Sequence, residues 1–152
     1  SGYDTCVEAE LGYVAKLGQS QENPGFTRPE DALLFVENTG VHSLAVSIGS
    51  AHGFYKKEPR LDIGLLSRIS AKVPVPLVLH GSSGIPDEML REAIRNGICK
   101  VNLATEIKNT FMIALKEIFR NNDEIDLRKV FPNATITVTN LITNKLETIN
   151  NI

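Results

Sequence analysis

Two histidines of this sequence, His52 and His80, each lie directly before a glycine. Each also follows an apolar run that is typical of a strand covered on both faces. Because the carboxyl ends of parallel strands meet at one edge of a sheet, we expect the two imidazoles to approach each other. Imidazole nitrogen is a preferred zinc ligand, and Glu10 could supply a third ligand or hold a histidine tautomer. Two unrelated, hydrogen-bonded histidines are the alternative.

A second group of residues near these histidines is suited to binding a phosphate. Glycines and serines after the strands leave backbone N–H groups open to an anion, and the dipoles of the following helices favour negative charge. The candidate phosphate-binding residues are Gly53, Gly81, Ser82, Ser83, Asn102, Ala104 and Thr105. Tight turns that need positive φ at glycine are an alternative explanation of the GSSG run.

Two further segments carry charges that could act at the same edge. Residues 15–26, AKLGQSQENPGF, are typical of a lid loop, and Glu22 is the carboxylate that could serve there as an acid or base. The run YKKEPRLD, with Lys56, Lys57 and Arg60, could attract a phosphorylated substrate. A solvated loop charge and a solvated basic face are the respective alternatives.

These residues must be positioned by alternating strands and helices. Strands are predicted over residues 5–10, 44–48, 77–79 and 100–103, and helices over 29–39, 61–71, 86–96 and about 105–120. The tail over 134–149 could be a helix or, from its β-branched content, a strand. The order predicts an α/β fold with a parallel sheet. An open doubly wound sheet and part of an eight-stranded barrel both fit this pattern.

Composition narrows the class of protein. The chain has 152 residues, enough to bury a core, and its net charge of −2 argues against a broad nucleic-acid surface. No apolar run approaches the roughly 18 residues of a membrane span, and no signal peptide is visible. With two cysteines a disulfide scaffold is unlikely, so a reduced, cytoplasmic setting is expected. Cys6 and Cys99 are predicted to be reduced, buried packing residues. His42 precedes the second strand and is predicted to be a surface or packing residue.

Three strings together resemble the class II, zinc-dependent ketose-bisphosphate aldolases, in that family's order and spacing. They are VEAELG (7–12), LAVSIGSAHGFYK (44–56) and VPLVLHGSSGIPDEMLREAIRNGICKVNLATEIK (75–108). The family fold is a TIM (β/α)8 barrel, and the resemblance is to its C-terminal half, strands five to eight. It implies that residues 1–152 form a single partial-barrel domain. It also implies zinc-dependent, reversible cleavage of fructose or tagatose 1,6-bisphosphate to dihydroxyacetone phosphate and glyceraldehyde 3-phosphate.

The resemblance also implies roles for individual residues. His52 and His80 match zinc ligands, Glu10 matches a carboxylate that can approach the metal, and Glu8 matches its partner in the strand. The residues implied in catalysis are Glu10, Asn102 and Glu22. Those implied in holding the phosphate of dihydroxyacetone phosphate are Gly53, Gly81, Ser83 and Thr105. The family also implies a monovalent cation, Na⁺ or K⁺, near the glycine loops and a homodimer or homotetramer.

The sequence departs from the family pattern in two respects. The family's third zinc histidine and its catalytic aspartate lie in an N-terminal half that this sequence does not match, and the lid run LGQSQEN is shorter than the family's. We therefore expect that this chain alone is not a competent aldolase. It could be part of a longer aldolase, pair with a second half-barrel, or be completed by a separate N-terminal chain. The alternative from another class is an inactive half-barrel that binds a phosphorylated ligand or acts as a scaffold.

Overall fold

Short parallel strands run through the described part of the chain, which in this computed structural model covers residues 5–16, 25–55, 58–120 and 122–150. The described strands are β1 (Glu8–Leu11), β2 (Ala15–Lys16), β3 (Ser43–Val46), β4 (Ala51–His52), β5 (Leu77–Leu79) and β6 (Ile98–Val101). Four of them form one parallel sheet in the order β1-β3-β5-β6, and β2 pairs with β4. Each of the four predicted strands overlaps an observed one, so the predicted α/β fold with a parallel sheet is confirmed.

The pairing of β2 with β4 corrects one prediction. The sequence placed residues 15–16 in the lid loop, but they form a strand beside Ala51 and His52. A strand of two residues is too short to show a periodic pattern, so the sequence carries no signal for it. Residues 17–24 of the predicted lid, among them Glu22, lie outside the described residues, and residues 25–26 belong to no strand or helix. Because β4 contains His52, this pairing helps to fix the backbone beside that histidine.

Helices alternate with the strands as predicted. They are α1 (Pro29–Thr39), α2 (Ile63–Lys72), α3 (Asp87–Arg95), α4 (Thr105–Arg120) and α5 (Leu127–Asn150). Helix α2 begins two residues later than predicted because the Asp62 carboxylate caps it, accepting the N–H of Leu65 at 2.8 Å.

Among the described residues, no helix combines the length and apolar character needed to cross a membrane.

The tail of the chain is a helix rather than a strand, and it begins at Leu127, upstream of the predicted start at residue 134. It continues through Pro132, although proline removes one helical hydrogen bond. Val130 and Ala134 are buried, and the helix packs against α4, where Phe131 meets Phe111 edge to face. Packing therefore overrides the strand preference of the β-branched residues.

The core lies between the sheet and its helices. Leu44, Val46 and Leu79 are fully buried because the strands are covered on both faces, as their continuous apolar runs predicted. The helices contribute buried residues that recur at helical spacing, such as Leu66 and Ile69 of α2. The sheet is thereby held rigidly, and the loops at its carboxyl edge are free to carry polar groups.

The two cysteines contradict the prediction of burial. Both Cys6 and Cys99 are free and exposed. Cys6 lies just before β1 and Cys99 lies in β6, and these are the two outer strands of the four-stranded sheet. Within the described residues, no further strand pairs with the outer side of either one, so small apolar side chains remain uncovered there.

Candidate functional site

Three potential metal ligands converge at the carboxyl edge of the sheet. Glu10 projects from β1, His52 ends β4, and His80 directly follows β5. One ligand atom from each residue lies within 4.8 Å of the other two. The two imidazole rings have centroids 6.2 Å apart and planes inclined by 50°. The structure thus brings together the two histidines and the carboxylate that the sequence singled out.

His80 is held between two carboxylates. Its Nδ1 lies 2.5 Å from Glu10 Oε2, and its Nε2 lies 3.1 Å from Glu8 Oε1. Each ring nitrogen therefore faces a carboxylate oxygen. In a metal site one of these nitrogens would bind the ion while the other donates to a carboxylate, which fixes the tautomer of the ring. The donor set therefore fits a divalent metal ion that binds nitrogen and oxygen.

Lys100 is a member of this group that the sequence analysis missed. Its Nζ donates to Glu8 Oε2 at 2.8 Å, and this hydrogen bond is the main reason that the pKa of Glu8 is lowered. Glu8 and Lys100 lie on the two outer strands of the sheet, so their side chains meet across its face. Glu8 therefore stays ionised while it contacts His80. The Glu8–Lys100 ion pair connects both outer strands of the sheet to the site.

A cavity of about 220 Å³ adjoins the two histidines. Its lining residues come from the loops after β4, β5 and β6. They are His52, Gly53, His80, Gly81, Ser83, Asn102, Leu103, Ala104 and Thr105. All but one of the predicted phosphate-binding residues are in this set. The exception is Ser82, which is buried and donates its hydroxyl to the carbonyl of Leu79 at 3.2 Å.

The local backbone explains why this cavity is lined by glycines. Gly53 and Gly81 have φ values of 103° and 68°, in the left-handed region that glycine tolerates. A Cβ on Gly81 would lie 2.5 Å from the carbonyl oxygen of Ala51. Ser83 accepts the N–H of Glu106 at 3.1 Å and so satisfies a donor in the first turn of α4. The cavity therefore combines tight glycine turns with the N-terminus of a helix, an arrangement that suits an anion.

Tyr55 is a second residue that the sequence analysis missed. Its hydroxyl accepts the N–H of Ala51 and donates to the carbonyl of Gly81, each at 2.8 Å. Burial raises the pKa of the phenol, so the hydroxyl keeps its proton and can donate. The signal in the sequence is only the position of the tyrosine three residues after His52.

Of the remaining residues that the sequence singled out, two lie on the described part of the chain, Arg60 and His42. Lys56 and Lys57 lie outside the described residues, and Arg60 is exposed. His42 accepts the N–H of Val7 through Nδ1 at 2.9 Å, at the opposite end of the strands. The interpretation of His42 as a surface or packing residue is confirmed.

Comparison with known proteins connects this geometry to a family. The sequence model of the family described as "Fructose-bisphosphate aldolase class-II" matches residues 1–152. The D-tagatose-1,6-bisphosphate aldolase subunit GatY of Klebsiella oxytoca is 49% identical over 126 residues. That alignment covers 80% of this chain and 44% of the relative.

Solved structures show the same likeness. The YdjI aldolase from Escherichia coli K12 superposes with a TM-score of 0.78 at 38% identity, covering 95% of this chain and 49% of that protein. A putative fructose-1,6-biphosphate aldolase from Coccidioides immitis gives a TM-score of 0.81 at 26% identity, with coverages of 95% and 52%. The parallel sheet and these neighbours fit a TIM-barrel-type fold. The chain spans about half the length of the relatives that it matches.

Proposed function

Because this chain belongs to the class II fructose-bisphosphate aldolase family, we propose that it forms strands five to eight, the C-terminal half, of a TIM-barrel aldolase. The proposed reaction is the reversible cleavage of a ketose 1,6-bisphosphate to dihydroxyacetone phosphate and glyceraldehyde 3-phosphate. The name of the Klebsiella oxytoca relative makes tagatose 1,6-bisphosphate the first substrate to test, with the fructose isomer as the second.

The observation that carries this proposal is the convergence of Glu10, His52 and His80 beside the glycine-lined cavity. Two imidazoles and a carboxylate are ligands that zinc accepts. We assign the zinc to these three residues, and the resemblance to the family adds a third histidine from the other half of the barrel. A catalytic aspartate would come from the same half.

The residues of this chain then bind and orient the substrate. Bound zinc would supply Lewis-acid polarisation of the substrate carbonyl. Backbone groups of the two glycine loops, with the start of α4, would hold the phosphate, because N–H groups and a helix dipole converge there. The residues assigned to this phosphate site are Gly53, Gly81, Ser83, Ala104 and Thr105. The amide of Asn102, which lines the same cavity, would orient the carbonyl and hydroxyl region of the substrate.

Proton transfer needs a group near the metal and a group near the other end of the substrate. Glu10 lies among the metal ligands and is the described carboxylate best placed for the first role. Glu22 of the lid is assigned to the second role from the sequence alone. Na⁺ or K⁺ near the glycine loops and a homodimer or homotetramer are parts of this proposal that rest on the family resemblance. A cytoplasmic location is a part that rests on the composition of the sequence.

Zinc content and aldol cleavage in the intact protein test this function. We expect about one zinc ion per complete barrel and a loss of cleavage when a chelator removes it. The variant His80→Ala should lose the zinc, since it removes one ligand and the contact partner of both Glu8 and Glu10. His42→Ala is the matched control, because His42 lies at the other end of the strands, and it should keep the zinc. A wild-type protein whose cleavage resists chelation would contradict the proposal.

A further inference from the structure

Tyr55 bridges the loops that follow β4 and β5. Its hydroxyl makes two hydrogen bonds of 2.8 Å, one from the N–H of Ala51 and one to the carbonyl of Gly81. Ala51 directly precedes His52, and Gly81 directly follows His80. A single hydroxyl thus connects two backbone groups that are each one residue away from a candidate metal ligand.

The surroundings of Tyr55 allow its ring little freedom. The ring is partly buried and packs against the hydrophobic core. The ring also faces the far end of the loop that follows β5, since a Cβ built on Gly84 would lie 3.6 Å from Tyr55 Cδ2. The backbones of Ala51 and Gly81 are themselves in close contact beside the hydroxyl. Because core packing fixes the ring and hydrogen bonds are directional, the hydroxyl holds the two loops at one separation.

We infer that Tyr55 is a positioning residue, whose two hydrogen bonds set the separation of the His52 and His80 imidazoles and of the Gly53 and Gly81 N–H groups. The hydroxyl acts through the backbone. Because both of its hydrogen bonds are made to protein groups, it takes no part in the aldol reaction. This inference rests on the proposed metal-dependent function. Groups that do not bind the metal but orient its ligands typically contribute 10- to 100-fold to metal affinity, and we expect a contribution of that order from Tyr55.

The test compares two variants of the intact protein. Tyr55→Phe removes the hydroxyl and keeps the ring. Thr148→Val is the matched control, because it also removes a hydroxyl that bridges two segments, here from α5 to Asp87 at 3.0 Å, with little change of shape. The measurements are Zn²⁺ affinity, by competition with a chromophoric chelator, and the thermal unfolding of each metal-stripped protein.

We expect Tyr55→Phe to weaken zinc binding about tenfold or more, and Thr148→Val to stay within about twofold of the wild type. Both variants should unfold at a lower temperature. If Tyr55→Phe binds zinc as tightly as the wild type, the role of Tyr55 is overturned and the proposed function is not. The same holds if both variants lose zinc affinity equally, because that loss would be a general effect of lower stability. A wild-type protein that does not bind zinc overturns the proposed function together with this role.

A second measurement needs no variant. Coupling between two sites is reciprocal, so zinc must strengthen the Tyr55 bridge by the factor by which the bridge strengthens zinc binding. Amide hydrogen exchange at Ala51 should therefore slow about tenfold when Zn²⁺ is added to the metal-stripped wild type. Exchange that does not change on zinc addition contradicts the role, even if Tyr55→Phe fails to fold.

Discussion

Gly81 and Gly84 lie in one loop and have similar backbone angles, yet their surroundings differ. Their φ values are 68° and 84°. A Cβ on Gly81 would meet three backbone atoms of Ala51 at 2.5 to 3.0 Å, whereas one on Gly84 would make an ordinary contact of 3.6 Å with Tyr55. Both positions disfavour a side chain for conformational reasons, but at Gly81 the neighbouring backbone also blocks it.

This difference predicts a ranking of two variants. Alanine in the left-handed region costs about 1–2 kcal/mol at either position. Gly81→Ala must in addition push apart the loops that carry His52 and His80, so it should lose more stability and more zinc affinity than Gly84→Ala. Denaturant unfolding and zinc titration of the two proteins measure both effects. Equal losses in the two variants would show that the contact with Ala51 relaxes at no cost.

Asn102 lines the cavity but does not belong to the set of metal ligands. Asn102→Ala should therefore lower turnover about 100-fold, the usual effect of removing one preorganised hydrogen-bond donor, and leave the zinc content near that of the wild type. Steady-state rates and metal analysis on the same sample make the comparison. Loss of zinc in parallel with activity would assign Asn102 a role in building the metal site instead.

Sequence reasoning found Glu10, His52 and His80 because the ends of parallel strands meet by the topology of the fold. It missed Tyr55 and Lys100 because their roles depend on where the tip of a long side chain ends. The Tyr55 hydroxyl bonds to a residue 26 positions away, and the Lys100 ammonium to one 92 positions away. No pattern of neighbouring residues in the sequence predicts contacts over such separations, so only the three-dimensional structure shows them.

At the scale of the elements, Asp87 joins the start of α3 to the end of α5. Its carboxylate accepts hydrogen bonds from Lys145 at 2.8 Å and from Thr148 at 3.0 Å. The bond from Lys145 is the main cause that lowers the pKa of Asp87, and Thr148 adds to it. Because α3 begins just after the HGSSG loop, this link fixes the last helix against the segment that leads out of the site.

The lowered pKa of Asp87 predicts how stability depends on pH. A carboxyl group whose pKa is lower in the folded state stabilises the protein above its unfolded-state pKa, and this contribution disappears as the pH falls through the folded-state value. Asp87→Asn should therefore lower the free energy of unfolding at pH 7 by up to about 1 kcal/mol, since the pair is partly exposed. The difference from the wild type should shrink below about pH 4. A difference that is the same at both pH values would contradict this account.

Element boundaries were predictable where local chemistry marks them. Helix α1 has Pro29 at its first turn and is followed by Gly40, which adopts a φ of 65°, and its predicted limits coincide with the observed ones. Helix α5 is also marked at its start, because the carboxylate of Asp126 accepts a hydrogen bond from the N–H of Arg128 at 3.0 Å, but the sequence analysis did not use this cap. The burial of Val130 and Ala134 and the packing of α5 against α3 and α4 depend on the tertiary structure.

At the scale of the whole molecule, apolar side chains remain exposed on the last two helices. Among the described residues, those on α4 and α5 with large exposed surfaces are Met112, Ile113, Phe119, Leu127, Phe131, Ile136 and Leu146. The outer sides of β1 and β6 also lack a neighbouring strand within the described part of the chain. Open strand edges and apolar patches promote association.

The 152-residue chain, produced by itself, should therefore self-associate. We expect its sedimentation to shift with concentration over the micromolar range, because open edges and apolar faces can pair between copies. The intact protein, in which we propose that further strands close the barrel, should show a fixed species under the same conditions. If the isolated chain is instead a stable monomer, the outer sides of β1 and β6 must be covered by some other part of the chain.

The parallel register of the sheet also constrains the order in which the protein folds. Glu10 and His80 meet across 70 residues of chain, and they can do so only after β1, β3 and β5 have all paired. Pairings between distant segments form slowly, because the entropy of closing each loop is lost before the contacts compensate for it. A cation bound by these side chains would act as a non-covalent cross-link that forms late in folding. Its removal should therefore accelerate unfolding more than it slows folding.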